Sequence, residues 1–278
     1  MCRIPGNNGL KDQNLALKWT YENIHLFGGD KDKITVHGQS AGAVSASYHL
    51  LIKQSAGLFR SVIAESGSPL NMYSFIENPK DYAIQLAQAI NPDISSDADS
   101  EEIRDFLLSL DGKTIDNYSK ATAIAQPATV IEPESPTAVV TTEMYEMFES
   151  GHFYQVPVLM GICSEEALFI ATYAEKIQHA EELYYVFLNR SLSEIDEGDA
   201  LTHRRLVRMW SNFIKYENPT PEPDELLENI EWPAVSPLDY KYLNINNSLS
   251  IELNPKDPYF SKWENVFETY GRRPFSTF

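Results

Sequence analysis

The feature that most restricts how this chain can fold is the pentapeptide Gly38-Gln39-Ser40-Ala41-Gly42, which has the pattern Gly-x-Ser-x-Gly. The β-branched run at residues 34–36 predicts a strand before it, and the small residues at 43–48 predict a helix after it. This order exposes a serine hydroxyl at a crowded turn that admits only small neighbours, which the two glycines and the alanine supply. The helix directs free amides toward that serine. The pattern predicts a serine positioned for acyl transfer, although the pentapeptide alone arises by chance in roughly one in ten chains of this length.

Composition narrows the class of protein further. With 278 residues, of which 43% are hydrophobic, the chain can bury the core of one large domain. A net charge of −18 makes nucleic acid and anionic membranes poor partners, and no apolar run reaches the roughly 18 residues that span a bilayer. The two cysteines, Cys2 and Cys163, cannot form a disulfide framework or a metal site by themselves. Cys163 follows an apolar run and is predicted to be a buried thiol.

The order of predicted elements favours an α/β fold with a parallel sheet. The helix after Ser40 extends to about residue 52, and a second apolar strand follows at 59–65, so strand, helix and strand alternate. A third apolar strand is predicted at 156–162, and a hairpin turns at Asn246-Asn247. The aromatic stripes at 206–214 and 260–270 are predicted to pack in the core. Further helices are predicted at residues 12–27, 82–90, 101–110 with Ser100 as N-cap, and 142–150.

Several stretches together resemble the type-B carboxylesterase/cholinesterase family of α/β-hydrolases. Besides the pentapeptide, the matching stretches are residues 5–13, 27–30, 65–68, 156–161 and 179–183. The resemblance implies an α/β-hydrolase fold over residues 1–278 as a single domain, with a mostly parallel sheet flanked by helices. It also implies hydrolysis of a small-molecule carboxylic ester through an acyl-serine intermediate, without metal or cofactor. Gln39, directly before the serine, is similar to some insect esterases, including the juvenile hormone esterases.

The resemblance also assigns a catalytic triad in the order serine, acid, histidine. Ser40 matches the nucleophile, Glu166 the acid and His179 the base, while Ala41 would offer an N–H to the oxyanion and Ser66 a hydroxyl near the imidazole. A serine hydroxyl is a weak nucleophile until an imidazole takes its proton, and the carboxylate orients that imidazole.

The other acidic residues and histidines that could be taken for the acid or the base are not assigned catalytic roles. Glu165 is expected to point elsewhere, and Asp196-Glu197-Gly198 imitates the acid motif but has no preceding strand. His37 and His49 are expected to be packed and hydrogen-bonded, and the remaining histidines to be exposed.

Two departures from the family pattern predict an incomplete form of the fold. Nothing here matches the family's His-Gly-Gly oxyanion loop and first strands, and thirteen residues between Glu166 and His179 cannot contain a crossover and a further strand. The sequence therefore predicts a partial α/β-hydrolase fold, lacking N-terminal strands and one later strand, with an exposed apolar sheet edge and marginal stability. A non-catalytic adhesion protein of this fold and an inactive gene product remain alternatives. The sequence leaves the compartment and the oligomeric state open.

Overall fold

The structure is a computed structural model that describes residues 6–71, 73–121, 127–166, 178–187, 196–236 and 238–271. Cys2 lies outside these residues. The helices are α1 Asn8–Asn23, α2 Ala41–Leu51, α3 Pro79–Ile90, α4 Ser100–Leu108, α5 Gly112–Ala121, α6 Met144–Glu149, α7 Glu182–Val186, α8 Glu197–Tyr216 and α9 Tyr259–Tyr270. The strands are β1 Thr35–Gln39, β2 Ser61–Glu65, β3 Val158–Gly161, β4 Lys241–Ile245 and β5 Leu249–Leu253.

A parallel sheet of order β1-β2-β3 forms the centre of the molecule, as the alternation of strands and helices predicts. In the register, Ala64 of β2 lies between Gly38 of β1 and Met160 of β3. Every residue of β2 is buried, including Ser61 and Glu65 at its two ends, because a central parallel strand is covered on both faces. On one face, Ala43, Ala46 and Leu50 of α2 pack against β2. The α/β fold class is confirmed.

The opposite side of the sheet is covered by the C-terminal part of the chain. Phe213 of α8 packs against Ile63 of β2 and Leu159 of β3. The β4–β5 hairpin is antiparallel, as predicted from the alternating residues around Asn246-Asn247, and its Leu243 and Leu249 share a core cluster with α8. The central strand β2 therefore carries packed helices on both faces.

The matched stretch at residues 5–13 is tied to the rest of the molecule through a buried carboxylate. Glu132, which is 6% exposed, forms an ion pair with Lys11 at 2.5 Å and accepts a hydrogen bond from Asn7 at 2.9 Å. The Glu132–Lys11 ion pair holds the pKa of this carboxyl below its usual value, although burial opposes that effect. These contacts with Glu132 thus hold the start of α1 in place.

Strand β1 is an edge strand among the described residues. Within the described part of the chain β1 pairs with β2 alone, and Ile34 and Val36 are only half-buried. On the neighbouring α1, Leu15 and Trp19 are 66% and 54% exposed. No helix among the described residues is long and apolar enough to cross a membrane.

Three local predictions are wrong. Helix α1 begins at Asn8 rather than at residue 12, and the cap of α4 is Asp99, whose side chain accepts hydrogen bonds from two backbone amides, rather than Ser100. The aromatic stripe of α9 does not pack in the core, since Phe260, Trp263 and Tyr270 are 53%, 63% and 76% exposed. Helical spacing of apolar residues identifies the face of a helix, but not whether a neighbour covers it. The side chain of Phe267 lies outside the described part.

Candidate active site

Ser40 lies at the tight turn between β1 and α2. Its backbone has φ 56° and ψ −122°, a combination that is uncommon for a residue with a side chain. Two backbone hydrogen bonds hold it, because its N–H donates to Glu65 O at 2.8 Å and its carbonyl accepts from Val44 N at 3.0 Å. The turn is therefore fixed by the neighbouring strand and by the helix that it begins.

The space around this turn requires glycine at two positions. A Cβ on Gly38 would lie 2.0 Å from the Gly42 carbonyl oxygen, and one on Gly67 would lie 2.3 Å from the Ser40 carbonyl oxygen. By contrast, a Cβ on Gly42 would meet nothing within 4 Å, so the prediction that Gly42 is needed for its small size is wrong. The sequence analysis missed Gly67, although its place after a buried strand was a usable signal.

His179 lies between Ser40 and Glu166. Its Nε2 is 2.8 Å from Ser40 Oγ, and its Nδ1 is 2.6 Å from Glu166 Oε2. Because an ionised carboxylate only accepts hydrogen bonds, Nδ1–H donates to Glu166 and Nε2 accepts from the serine hydroxyl. The structure thus brings the three predicted residues together in the predicted order. Gln39 Nε2 also approaches His179 Nε2, at 3.4 Å.

The carboxylate of Glu166 is held by two further donors. Ser66 Oγ donates to Oε1 at 2.5 Å, and the Cys163 N–H donates to the same oxygen at 2.7 Å. The Ser66 hydroxyl, predicted to lie near the imidazole, binds the carboxylate that contacts the imidazole, because Ser66 directly follows β2, the strand next to the one that leads to Glu166. Hydrogen bonds to Oε1 leave Oε2 directed at the imidazole.

The turn that carries His179 is held differently from the one that carries Ser40. An isolated parallel bridge joins Gln178 to Glu165, and Ala180 has φ 70°. Helix α7 begins at Glu182, whose Oε2 accepts a hydrogen bond from Cys163 Sγ at 2.9 Å. Burial, followed by the hydrogen bond to Glu182, raises the pKa of the Cys163 thiol to about 12. The thiol is therefore buried, as predicted, and protonated at neutral pH.

Ala41 is the first residue of α2 and is exposed. The first four N–H groups of a helix have no intrahelical acceptor, so the Ala41 amide is available next to the Ser40 hydroxyl. This position is compatible with a donor to an oxyanion, and that role stays a prediction.

The rival residues have structural surroundings. Asp196 caps α8 by accepting from Asp199 N at 2.8 Å, and Glu165 is exposed. His49 is buried, and its ring contacts Ser55 Oγ and Gln13 Oε1, as expected for a packed histidine. Burial lowers the pKa of His49 to about 4.

His37 and His203 are two further histidines that were considered as alternatives to His179. His37 Nε2 lies 3.1 Å from Glu65 Oε1, and its ring stacks on Phe187. His203 was expected to be exposed but is partly buried, with Nδ1 against the Tyr185 carbonyl. Among the residues described here, no three His, Cys, Asp or Glu side chains converge in a way that could hold a metal ion.

Comparison with known proteins shows the family of this chain. The carboxylesterase family model matches residues 2–178 and 173–263. The chain belongs to the carboxylesterase family. A carboxylic ester hydrolase of Bombus ignitus is 35% identical over 225 residues, which cover 78% of this chain and 40% of that protein. Cholinesterase 2 of Branchiostoma lanceolatum is 35% identical over 178 residues, 61% of this chain and 50% of the relative.

A solved structure supports the fold. PNB esterase superposes with a TM-score of 0.74 and 20% identity, covering 91% of this chain and 68% of that one. At this identity the likeness concerns the α/β-hydrolase fold alone. The chain spans 40–50% of the length of the first curated relatives that it matches.

Proposed function

We propose that this chain hydrolyses carboxylic esters through an acyl-serine intermediate, with Ser40 as nucleophile, His179 as general base and Glu166 as the orienting acid. The observation that carries the proposal is the continuous hydrogen-bonded series from Ser40 Oγ through the imidazole to Glu166, with 2.8 Å and 2.6 Å between the bonded atoms. Family membership and the names of the relatives point to the same chemistry.

In the first half-reaction, Ser40 Oγ attacks the ester carbonyl carbon while its proton passes to His179 Nε2. The carboxylate of Glu166 stabilises the imidazolium that forms, and the Ala41 N–H donates to the oxyanion. The intermediate then collapses: the bond to the alcohol oxygen breaks, and His179 returns its proton to the leaving alcohol.

In the second half-reaction, water takes the place of the alcohol. His179 removes a proton from water as it attacks the acyl carbon, and then returns a proton to Ser40 Oγ as the carboxylic acid departs. Every proton transfer uses groups of this chain, so the proposed reaction needs no metal or cofactor. The substrate class is a small-molecule carboxylic ester.

We also infer that residues 1–278 act as one domain. The contact of Phe213 in α8 with Ile63 and Leu159 in the parallel sheet supports this, since the C-terminal elements then share the core with the strand that precedes Ser66.

The test is turnover of 4-nitrophenyl acetate by the wild-type chain and by Ser40→Ala. We expect the variant to lose on the order of 10⁴-fold or more in kcat, because removing the nucleophile of a triad abolishes the covalent step. Ser45→Ala, in the same helix, is the matched control and should retain activity.

Labelling by a fluorophosphonate provides a second readout. We expect one equivalent to attach to the wild-type chain at Ser40 and none to Ser40→Ala. Equal turnover in the two chains, with no labelling of the wild-type chain, would refute the proposal and favour the non-catalytic adhesion protein. Labelling at another serine would refute the assignment of Ser40 as nucleophile.

A further inference from the structure

We propose that Cys163 is a positioning residue, which holds the turn of His179 against the loop of Glu166 through its hydrogen bond to Glu182. The inference rests on the proposed ester hydrolysis, in which these two residues are base and acid. Cys163 touches neither Ser40 nor the imidazole in the contacts described above, so it acts through the groups it binds.

The need for such a residue follows from how little backbone structure joins the two loops. Glu166 and His179 are separated by 13 residues, and in the described part of the chain the paired backbone between their loops is a single bridge, Glu165 to Gln178. One bridge fixes a turn poorly, whereas a base must be held within a fraction of an ångström of its working position.

Cys163 contacts both sides of this gap. Its N–H donates to Glu166 Oε1 at 2.7 Å, and its Sγ donates to Glu182 Oε2 at 2.9 Å. The residue is only 7% exposed, so neither contact competes strongly with water. One buried residue therefore binds the acid through its backbone and the segment of the base through its side chain.

Glu182 transmits this contact to the base. It is the first residue of α7 and follows His179 by three positions, so its side chain fixes where the helix begins and hence where the turn before it lies. Its other oxygen, Oε1, is buried and has no hydrogen-bond partner among the residues that the structure describes. If the thiol is removed, a buried carboxylate loses a donor, and the turn must shift to hydrate it.

The thiol is suited to this role and unsuited to a nucleophilic one. Because burial and the neighbouring carboxylates raise its pKa to about 12, it keeps its proton at neutral pH and acts as a donor. A hydroxyl of similar size can replace such a donor, whereas a methyl group cannot. Cys163→Ser and Cys163→Ala therefore form a matched pair.

The first experiment measures kcat and KM for this pair and for the wild-type chain. We expect Cys163→Ala to lower kcat by roughly 10- to 100-fold with little change in KM, because a misplaced base slows the chemical step without changing substrate contacts. Cys163→Ser should recover most of that loss. Equal kcat for the alanine and serine variants would overturn the inference.

A double-mutant cycle tests the route through Glu182. Since both single variants remove the same contact, Cys163→Ala combined with Glu182→Ala should cost no more in kcat than the larger of the two alone. Fully additive losses would show that the two residues act independently and would overturn the route. Melting temperatures are measured for every variant, and a loss of kcat that follows the melting temperature alone would also count against positioning.

A spectroscopic readout separates this inference from the proposed function. The Nδ1–H proton of His179, hydrogen-bonded to Glu166, should give a downfield proton resonance in the wild-type chain that is lost in Cys163→Ala and restored in Cys163→Ser. If the wild-type chain shows no turnover that depends on Ser40, the proposed function fails, and this resonance still decides the inference. An unchanged resonance in Cys163→Ala would overturn the positioning role while leaving ester hydrolysis in place.

Discussion

The nucleophile and the base are held by different means. Ser40 lies between a strand and a helix, and its own backbone N–H and C=O are bonded to Glu65 and Val44. His179 lies in a turn that has one backbone bridge to the loop of Glu166 and two side-chain contacts, since Glu166 binds the ring and Cys163 binds the start of the following helix. Backbone hydrogen bonds hold the first region, whereas side chains contribute much of what holds the second.

This difference predicts how each region responds to substitution. A turn fixed by backbone packing fails when an added atom has no space, and the whole fold then suffers. A turn fixed by side-chain hydrogen bonds can lose a bond while the fold survives, so the loss appears in activity.

The largest effect is expected from Gly38→Ala. The new Cβ would lie 2.0 Å from the Gly42 carbonyl oxygen, which is backbone and cannot move without opening the turn. We expect destabilisation of more than about 4 kcal/mol, measured by urea unfolding. Gly42→Ala is the control: its Cβ meets nothing within 4 Å, and alanine favours a helix, so its stability should be unchanged or slightly higher. Similar losses in both would refute the steric argument.

Glu166→Gln should affect activity far more than stability. The amide can still accept from Ser66 and Cys163 but cannot hold the imidazolium, so kcat should fall by on the order of 10⁴-fold with a small change in unfolding free energy. Glu165→Gln, at the exposed neighbouring position, should retain activity. Loss of the folded state in Glu166→Gln would mean that this loop contributes to the stability of the fold as much as the turn at Ser40 does.

The smallest effect is on the pH dependence of stability, and it comes from His49 in α2, the helix that follows Ser40. Burial lowers the pKa of His49 to about 4 in the folded chain, whereas an unfolded chain titrates near 6.5. Below pH 6.5 the unfolded state therefore binds a proton that the folded state excludes, so this contribution to stability is complete above pH 6.5 and is lost as the pH falls. The loss should reach about 2 kcal/mol at pH 5.

Urea unfolding at pH 7.5 and pH 5 tests this expectation. His49→Gln removes the titrating group, so the difference in unfolding free energy between the two pH values should shrink by that amount. An equal pH dependence in the wild-type chain and the variant would assign acid sensitivity to other residues.

The parts of the molecule that follow from local backbone patterns could be predicted from the sequence. The sequence predicted a strand and a helix on either side of Ser40, and it predicted the buried strand β2. Small residues and apolar runs allow this because they indicate the local backbone conformation directly. The exposed stripe of α9 could not be predicted, since the pattern of Phe260, Trp263 and Tyr270 is the same whether or not a neighbour covers it.

The surroundings of the acid and base were less predictable for a related reason. The hydrogen bond from the Ser66 hydroxyl to Glu166 depends on which strand end lies next to which, and sequence spacing does not give that. The contact of Cys163 with Glu182 joins residues 19 positions apart, and no local pattern marks it. The catalytic roles of Ser40, Glu166, His179 and Ala41 stay predictions until the variants are measured.

The order β1-β2-β3 has a geometric consequence for which residues can act together. Adjacent strands lie about 4.8 Å apart, so the loops that leave the two outer strands start about 10 Å from each other. A serine and a glutamate separated by two strand widths cannot touch, but an imidazole ring bonded at both nitrogens is long enough to bridge them. The middle strand thereby sets the distance that the imidazole ring of His179 spans between the two loops.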